Sequence, residues 1–322
     1  MRPVPISNPP NPWTTRDVEY LDEPPPNVKL EVYEDHSRQI LSTNDSPDVG
    51  FKWSVNPYRG CLHACAYCYA RPSHEYLSFG AGTDFDRKIV VKPRAPELLR
   101  AAFSKKSWKN ETVVFSGVTD CYQPLEASYR LTRRCLEVCL LFANPAGIIT
   151  KAPLVERDLD LLAALARGAG LHVTISVPFW DADKARAIEP YVATPARRMR
   201  TIEALARRGI PTGVNVAPII PGLNDHEIPQ ILAAAADAGA RSAAYVLVRL
   251  PGSVKQVFEG RLRDRLPLQA DRVLHRIRET RGGKLYDPRF GVRGRGEGVY
   301  SESIHTLFEA AARRVGLAPS FR

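Results

Sequence analysis

The chain has 322 residues, 44% of them hydrophobic and 25% charged, with a formal net charge of +10. This composition belongs to a folded globular protein and excludes a disordered or fibrous chain. No run reaches the roughly 18 consecutive apolar residues that cross a bilayer, and the opening MRPVPISNPPNPW lacks the apolar stretch of a secretory signal, so a cytoplasmic location without membrane attachment is expected. Between Pro251 and Arg322, 15 Lys/Arg stand against 8 Asp/Glu, which puts +7 of the +10 in that segment. Charge of this kind favours an anionic partner such as nucleic acid.

In chain order, Met1–Asn27 carries eight prolines and few bulky apolar residues, and reads as an extended arm without a core of its own. Short β-branched runs then alternate with amphipathic stretches, the pattern of parallel strands joined by helices. Six strands are expected, in SVNPY (54–58), TVVFSGV (112–118), GIITK (147–151), HVTISVP (172–178), GVNVAPI (213–219) and AAYVLVRL (243–250). Between them LTRRCLEVCLLFA, VERDLDLLAALARG and TPARRMRTIEALARRG read as helices, the last two closing on Gly. The expected fold is α/β, a partial (β/α)6 TIM-type barrel with a Pro-rich N-terminal arm and a basic C-terminal helical extension. The expected boundaries are 1–49 for the N-terminal extension, 50–281 for the barrel and 282–322 for the C-terminal extension. Ligand sites in such sheets form at the C-terminal strand ends.

Three of the six cysteines crowd into NPYRGCLHACAYCYA just after the first strand, as Cys61-x3-Cys65-x2-Cys68. In a reducing compartment such spacing points to metal or cluster ligation rather than disulfides. Three thiolates on one loop suit an iron–sulfur cluster with one iron left for a non-protein ligand. A zinc-stabilised nucleic-acid-binding module, with His63 or His74 as fourth ligand, is the alternative. Cys135 and Cys139 stand four apart on one helical face and read as core.

The Cys-x3-Cys-x2-Cys loop with Tyr67 before its last cysteine, together with SGVTDCYQPLE, ITKAPLVERDLDLL and VNVAPIIPGLND, resembles the radical S-adenosylmethionine (SAM) superfamily, in the subgroup related to spore photoproduct lyase and described as DNA repair photolyase-like. The resemblance spans about residues 50–280. It implies that Cys61, Cys65 and Cys68 hold a 4Fe-4S cluster. On this resemblance the reduced cluster would cleave SAM to a 5′-deoxyadenosyl radical that abstracts hydrogen from a substrate, with a nucleic-acid lesion or base as the candidate. A low-potential donor, flavodoxin or ferredoxin, would supply the electron.

The resemblance also implies cofactor contacts. Tyr67 would pack against the adenine or the cluster. Ser116, Gly117 and Asp120 would meet the methionine amino group, and Lys151 and Ser176 its carboxylate. Asn215 and the turn Pro221–Asp225 match the fifth strand and its exit, where a helix N-cap at Asn224 or Asp225 explains the same letters. Cys121 is a candidate hydrogen donor to a product radical, displaced by its position after Thr119-Asp120. Finally, RLRDRL (261–266) and RFGVRGRGEGVY (289–300), with Tyr286, Phe290 and Tyr300, offer arginines for phosphates and rings for bases.

Overall fold

The computed structural model describes residues 4–6 and 29–319; the remainder of the Pro-rich arm lies outside the described residues. In chain order its strands are β1 (Val4–Ile6), β2 (Glu31–Glu34), β3 (Leu41–Thr43), β4 (Trp53–Val55), β5 (Tyr58–Arg59), β6 (Lys88–Val91), β7 (Val113–Phe115), β8 (Ala146–Thr150), β9 (Leu171–Ser176), β10 (Thr212–Ile219), β11 (Ser242–Leu247) and β12 (Ala318–Pro319). They form a large sheet in the order β12-β11-β10-β9-β8-β7-β4-β3 and a small one in the order β1-β2-β6-β5.

All six expected strands are present, as β4 and β7–β11, each parallel to the next. β3 adds antiparallel to β4 at one edge and β12 parallel to β11 at the other. The two edges do not pair with each other, so the barrel is partial and open. The three expected helices form at Leu131–Leu141, Leu159–Gly168 and Pro195–Arg207.

Register sorts the sheet into two faces, because neighbouring paired residues share a face and successive residues alternate. The row Val55, Phe115, Ile148, Val173 is buried in the main core, with Leu99, Leu136, Leu162 and Ile202 from the covering helices. The rows on the opposite, inner face are polar or small apart from Ile149: Ile149, Thr174, Gly213, Ser242 and then Ser176, Asn215, Ala244. Gly213 is required there, since a Cβ would come 2.5 Å from the Ser242 hydroxyl. At the inner face His172 Nε2 lies 3.1 Å from Ser242 Oγ and Thr174 Oγ1 3.3 Å from His172 Nδ1.

Two segments are more integrated than their composition suggests. Residues 29–49 supply β2 and β3, and Val32 and Ile40 are buried. Beyond 282, helix Val299–Arg314 packs Ile304, Phe308 and Ala312 into the main core. β6, not expected from the sequence, pairs with β2 and β5 and so backs the cysteine loop.

Candidate active site at the strand ends

The cysteine loop leaves β5 and is held from three sides. Gly60 has φ 76°, and a Cβ there would meet His74 and the Phe85 carbonyl at 2.9 Å. Its carbonyl accepts from Thr119 Oγ1 at 2.6 Å and Gln123 Nε2 at 3.1 Å, while Gln123 Oε1 accepts from Leu62 N–H at 3.2 Å. Arg71, 1% exposed, donates Nε and Nη2 to the Cys65 carbonyl at 3.0 and 2.9 Å. It also donates Nη1 to the carbonyls of Ala81 and Gly82 and pairs with Asp86 at 2.8 Å. A buried charge satisfied in this way is stable only while every partner is present.

Cys61 and Cys65 are buried and Cys68 is partly exposed. Burial pushes the Cys61 thiol up to about 12, helped by Asp120 and Cys68. It pushes Cys65 well above the usual range, helped by Glu189, and raises Cys68 against the pull of Arg71. Burial thus favours the neutral thiol when no cation is bound, and ligation to a cation is what releases the proton. Among the described residues no three His, Cys, Asp or Glu side chains converge on one ion. A cluster, whose cysteines bind separate irons, does not need that convergence.

Each histidine proposed as a zinc ligand has one ring nitrogen engaged within the chain, and His74 Nδ1 is buried without a hydrogen-bond partner among the described residues. His74 is fully buried, donates Nε2 to the Lys88 carbonyl at 2.8 Å and packs against Phe85 and Phe79. Burial lowers its pKa. His63 Nδ1 lies 3.4 Å from Asp120 Oδ2, and burial likewise lowers its pKa, against Asp120.

Asp120 is the hub of the β7 and β8 ends. One oxygen accepts from Tyr122 N–H at 2.9 Å and Thr150 Oγ1 at 2.6 Å, the other from Lys151 N–H at 2.7 Å. Ser116 and Gly117 before it have φ of 147° and 129°. For a serine this is a strained conformation of the kind that gathers at functional sites; Ser116 Oγ donates to the Thr119 carbonyl at 3.1 Å. Asn56 Oδ1 accepts from Val118 N–H at 3.1 Å. Lys151 places its ammonium 5.8 Å from the Tyr67 ring centre, a cation–π distance.

The Tyr67 hydroxyl donates to Glu189, which pairs at 2.5 Å with Arg198, 1% exposed; Arg198 Nη1 donates to the Ser176 carbonyl at 2.9 Å. This buried chain ties the cysteine loop to the end of β9. Across from Ser176 on the inner face, Asn215 Oδ1 is buried with no hydrogen-bond partner among the described residues. Asn224 does not cap its short helix through its side chain. It accepts from Ile220 N–H at 2.6 Å and donates to the Pro178 carbonyl at 2.7 Å, locking the β9 and β10 exits together.

The structure does not bring Cys121 to this group. Its thiol is fully buried in the helix-covered core, donates to the Phe115 carbonyl at 3.6 Å, and has its pKa raised first by that burial. This is the face opposite Thr174, Ser176 and Asn215, so a donor role does not follow from its position. Cys135 and Cys139 are buried in the same core, as their helical spacing implies.

The arginines expected to meet phosphates are mostly answered internally. Arg289 pairs with Asp287 and Glu297, Arg293 with Asp48, Arg263 with Glu259 and Asp271, and Arg261 donates to the Ala187 carbonyl. Tyr300 bonds Asp225 and lies under Arg276. Arg71, Glu189, Arg198 and Arg249 were missed. Arg198 and Arg249 lie inside the expected helix and the last expected strand, and Arg71 stands three residues after Cys68, but a charged letter in such a segment does not record which partner it meets.

The fold is an α/β architecture with an open parallel sheet, and the three clustered cysteines follow its first strands. The model of the Radical SAM superfamily matches residues 55–235, more than half of the chain, and the chain belongs to that superfamily. An uncharacterized protein of Mycobacterium tuberculosis is 39% identical over 210 residues, covering 65% of this chain; the chain spans only 62% of that relative's length. A protein of Pseudomonas phage M6 named Radical SAM Nalpha-GlyT isomerase is 24% identical over 61% of this chain and 39% of its own. Among solved structures, spore photoproduct lyase with bound AdoMet and dinucleoside spore photoproduct superposes with a TM-score of 0.59 at 15% identity, over 90% of this chain and 82% of that one, a likeness of fold. Among the described residues no helix is long and apolar enough to cross a membrane.

Proposed function

We propose that this chain is a radical SAM enzyme in which Cys61, Cys65 and Cys68 hold a 4Fe-4S cluster and the inner-face strand ends hold SAM. The observation that carries the reading is the pairing of a three-thiol loop with the buried, unpartnered Asn215 Oδ1 beside Ser176. Such an acceptor costs about 1–3 kcal/mol when left dry, and an N–H or O–H of SAM would satisfy it. When bound, the cluster and SAM supply reductive cleavage to a carbon radical that takes hydrogen from the substrate.

The chain's own residues bind and orient. Asp120 has its oxygens committed to β8 and the Tyr122 amide, so it fixes the loop while the Ser116–Gly117 backbone meets the methionine amino group. Lys151 and Ser176 face the carboxylate, and Tyr67, anchored through Glu189, forms a wall beside the cluster. A flavodoxin- or ferredoxin-type protein in a reducing cytoplasm supplies the electron. A nucleic-acid lesion or modified base is the substrate reading that the net charge of +10 favours.

Against the zinc-module reading, no three His, Cys, Asp or Glu side chains converge on one ion among the described residues, although His74 Nδ1 is left without a hydrogen-bond partner there. Anaerobic reconstitution followed by dithionite reduction with SAM tests the proposal. Wild type is expected to form 5′-deoxyadenosine and to bind iron and sulfide. Cys65→Ala is expected to lose the product entirely. One zinc per chain in place of iron would sink the reading.

A further inference from the structure

Beyond the SAM-facing groups, further buried polar atoms lack partners among the described residues, starting with Arg249 where β11 leaves the sheet. Arg249 follows β11, and its Nε is buried without a hydrogen-bond partner among the described residues. Its guanidinium stacks 5.3 Å from the ring centre of Tyr69, the residue after Cys68. Tyr69 is 50% exposed, so one aromatic face is presented to solvent beside the third cysteine.

Two hydroxyls lie on the segments that carry this pair, one four residues after Arg249 and one four after Tyr69. Ser253, before helix Val254–Arg265, and Ser73, in the 3-10 turn after the cysteines, both have a buried Oγ without a partner among the described residues. Their segments touch: a Cβ on Gly252 would lie 3.9 Å from Pro72 Cγ. Behind them Arg281, 1% exposed, donates to the carbonyls of Val248 and Val292 and fixes the β11 exit. Arg281 Nε is also buried without a partner among the described residues, and a native fold seldom leaves such atoms unsatisfied on adjoining segments without a ligand or water for them. The nearby Arg289 and Arg293 are neutralised by Asp287, Glu297 and Asp48.

We propose that Arg249, with Ser253 and Ser73, forms a phosphate-recognition site and that Tyr69 is the stacking platform for the flat group attached to that phosphate. A guanidinium matches phosphate oxygens in fork geometry, and hydroxyl donors complete the set. An exposed ring beside it accepts any base through its π-face. The site deepens the substrate side of the proposed function and rests on it only for the chemistry that follows binding.

The test is fluorescence anisotropy of a labelled short oligodeoxythymidylate on the iron-loaded chain without SAM, so that failure of radical chemistry leaves the binding result readable. Arg249→Ala is expected to weaken binding about tenfold and to lower the salt slope by about one. Arg249→Lys should restore part of the affinity. Tyr69→Leu should weaken the oligonucleotide about tenfold while leaving competition by inorganic pyrophosphate unchanged, a split that general misfolding would not give. Competition by the dinucleotide TpT points to a phosphodiester and by thymidine monophosphate to a phosphomonoester; either supports the site. Wild-type affinity and salt slope in Arg249→Ala, or equal binding of a labelled polyglutamate peptide, would overturn it.

Discussion

The two sides of the mouth differ in how far their polar groups are satisfied. On the β7–β8 side, the Asp120 oxygens, the Gly60 carbonyl and Gln123 are bound within the chain, although His74 Nδ1 beneath Gly60 is buried without a partner among the described residues. On the β10–β11 side, Asn215 Oδ1, Arg249 Nε and Ser253 Oγ are buried without partners among the described residues. The first arrangement is prefabricated and fixes the cysteine loop. The second has stability in reserve that a ligand can claim, which is how a protein makes binding favourable without rebuilding itself.

The sharpest test of this contrast is Asp120→Ala. It strips the acceptor from Tyr122 N–H, Thr150 Oγ1 and Lys151 N–H at once, and a loss of about 3–4 kcal/mol in denaturant unfolding is expected from unsatisfied buried donors. Asn215→Ala on the other side should change stability by less than about 1 kcal/mol, since it removes an atom that nothing satisfies. It should weaken SAM binding about tenfold in equilibrium dialysis, the equivalent of one good hydrogen bond. If Asn215→Ala unfolds as readily as Asp120→Ala, the two sides do not differ in kind.

The smallest effect concerns acid. His74, packed beneath Gly60, has its pKa lowered from 6.5 by burial. The unfolded chain therefore binds this proton more readily than the folded one, so the contribution to stability is complete above pH 6.5 and is lost as the pH falls below it. His74→Gln should flatten that dependence below pH 6.5, measured as the change in unfolding midpoint relative to wild type. An unchanged slope would show that the closed side is not held through a neutral His74.

Much of this was legible in the residues. The six parallel strands carried β-branched runs buried in the core, a pattern that needs no partner to be recognised. Cys61, Cys65 and Cys68 were legible because ligand spacing on one loop is local. β6 was not, because a short KIVV run acquires its meaning from β2 and β5, which lie far along the chain or pair with it only in space. Nor was the side on which Cys121 lies: a one-residue change in facing sends a side chain to the opposite layer, and the letters TDCY do not record it.

What the sequence alone determined is the architecture and the cysteine loop, both set by periodicity and spacing within short windows. Which charged residues are spent and which are available was decided by tertiary structure. Arg289 and Arg293, prominent in a Gly- and Arg-rich run, meet carboxylates, while Arg249, a single letter at the end of a strand, is left with an unpartnered nitrogen over Tyr69. The physical reason is that a charge's availability depends on the neighbours that desolvate and pair it, and those neighbours lie as far as 245 residues away in the case of Arg293 and Asp48.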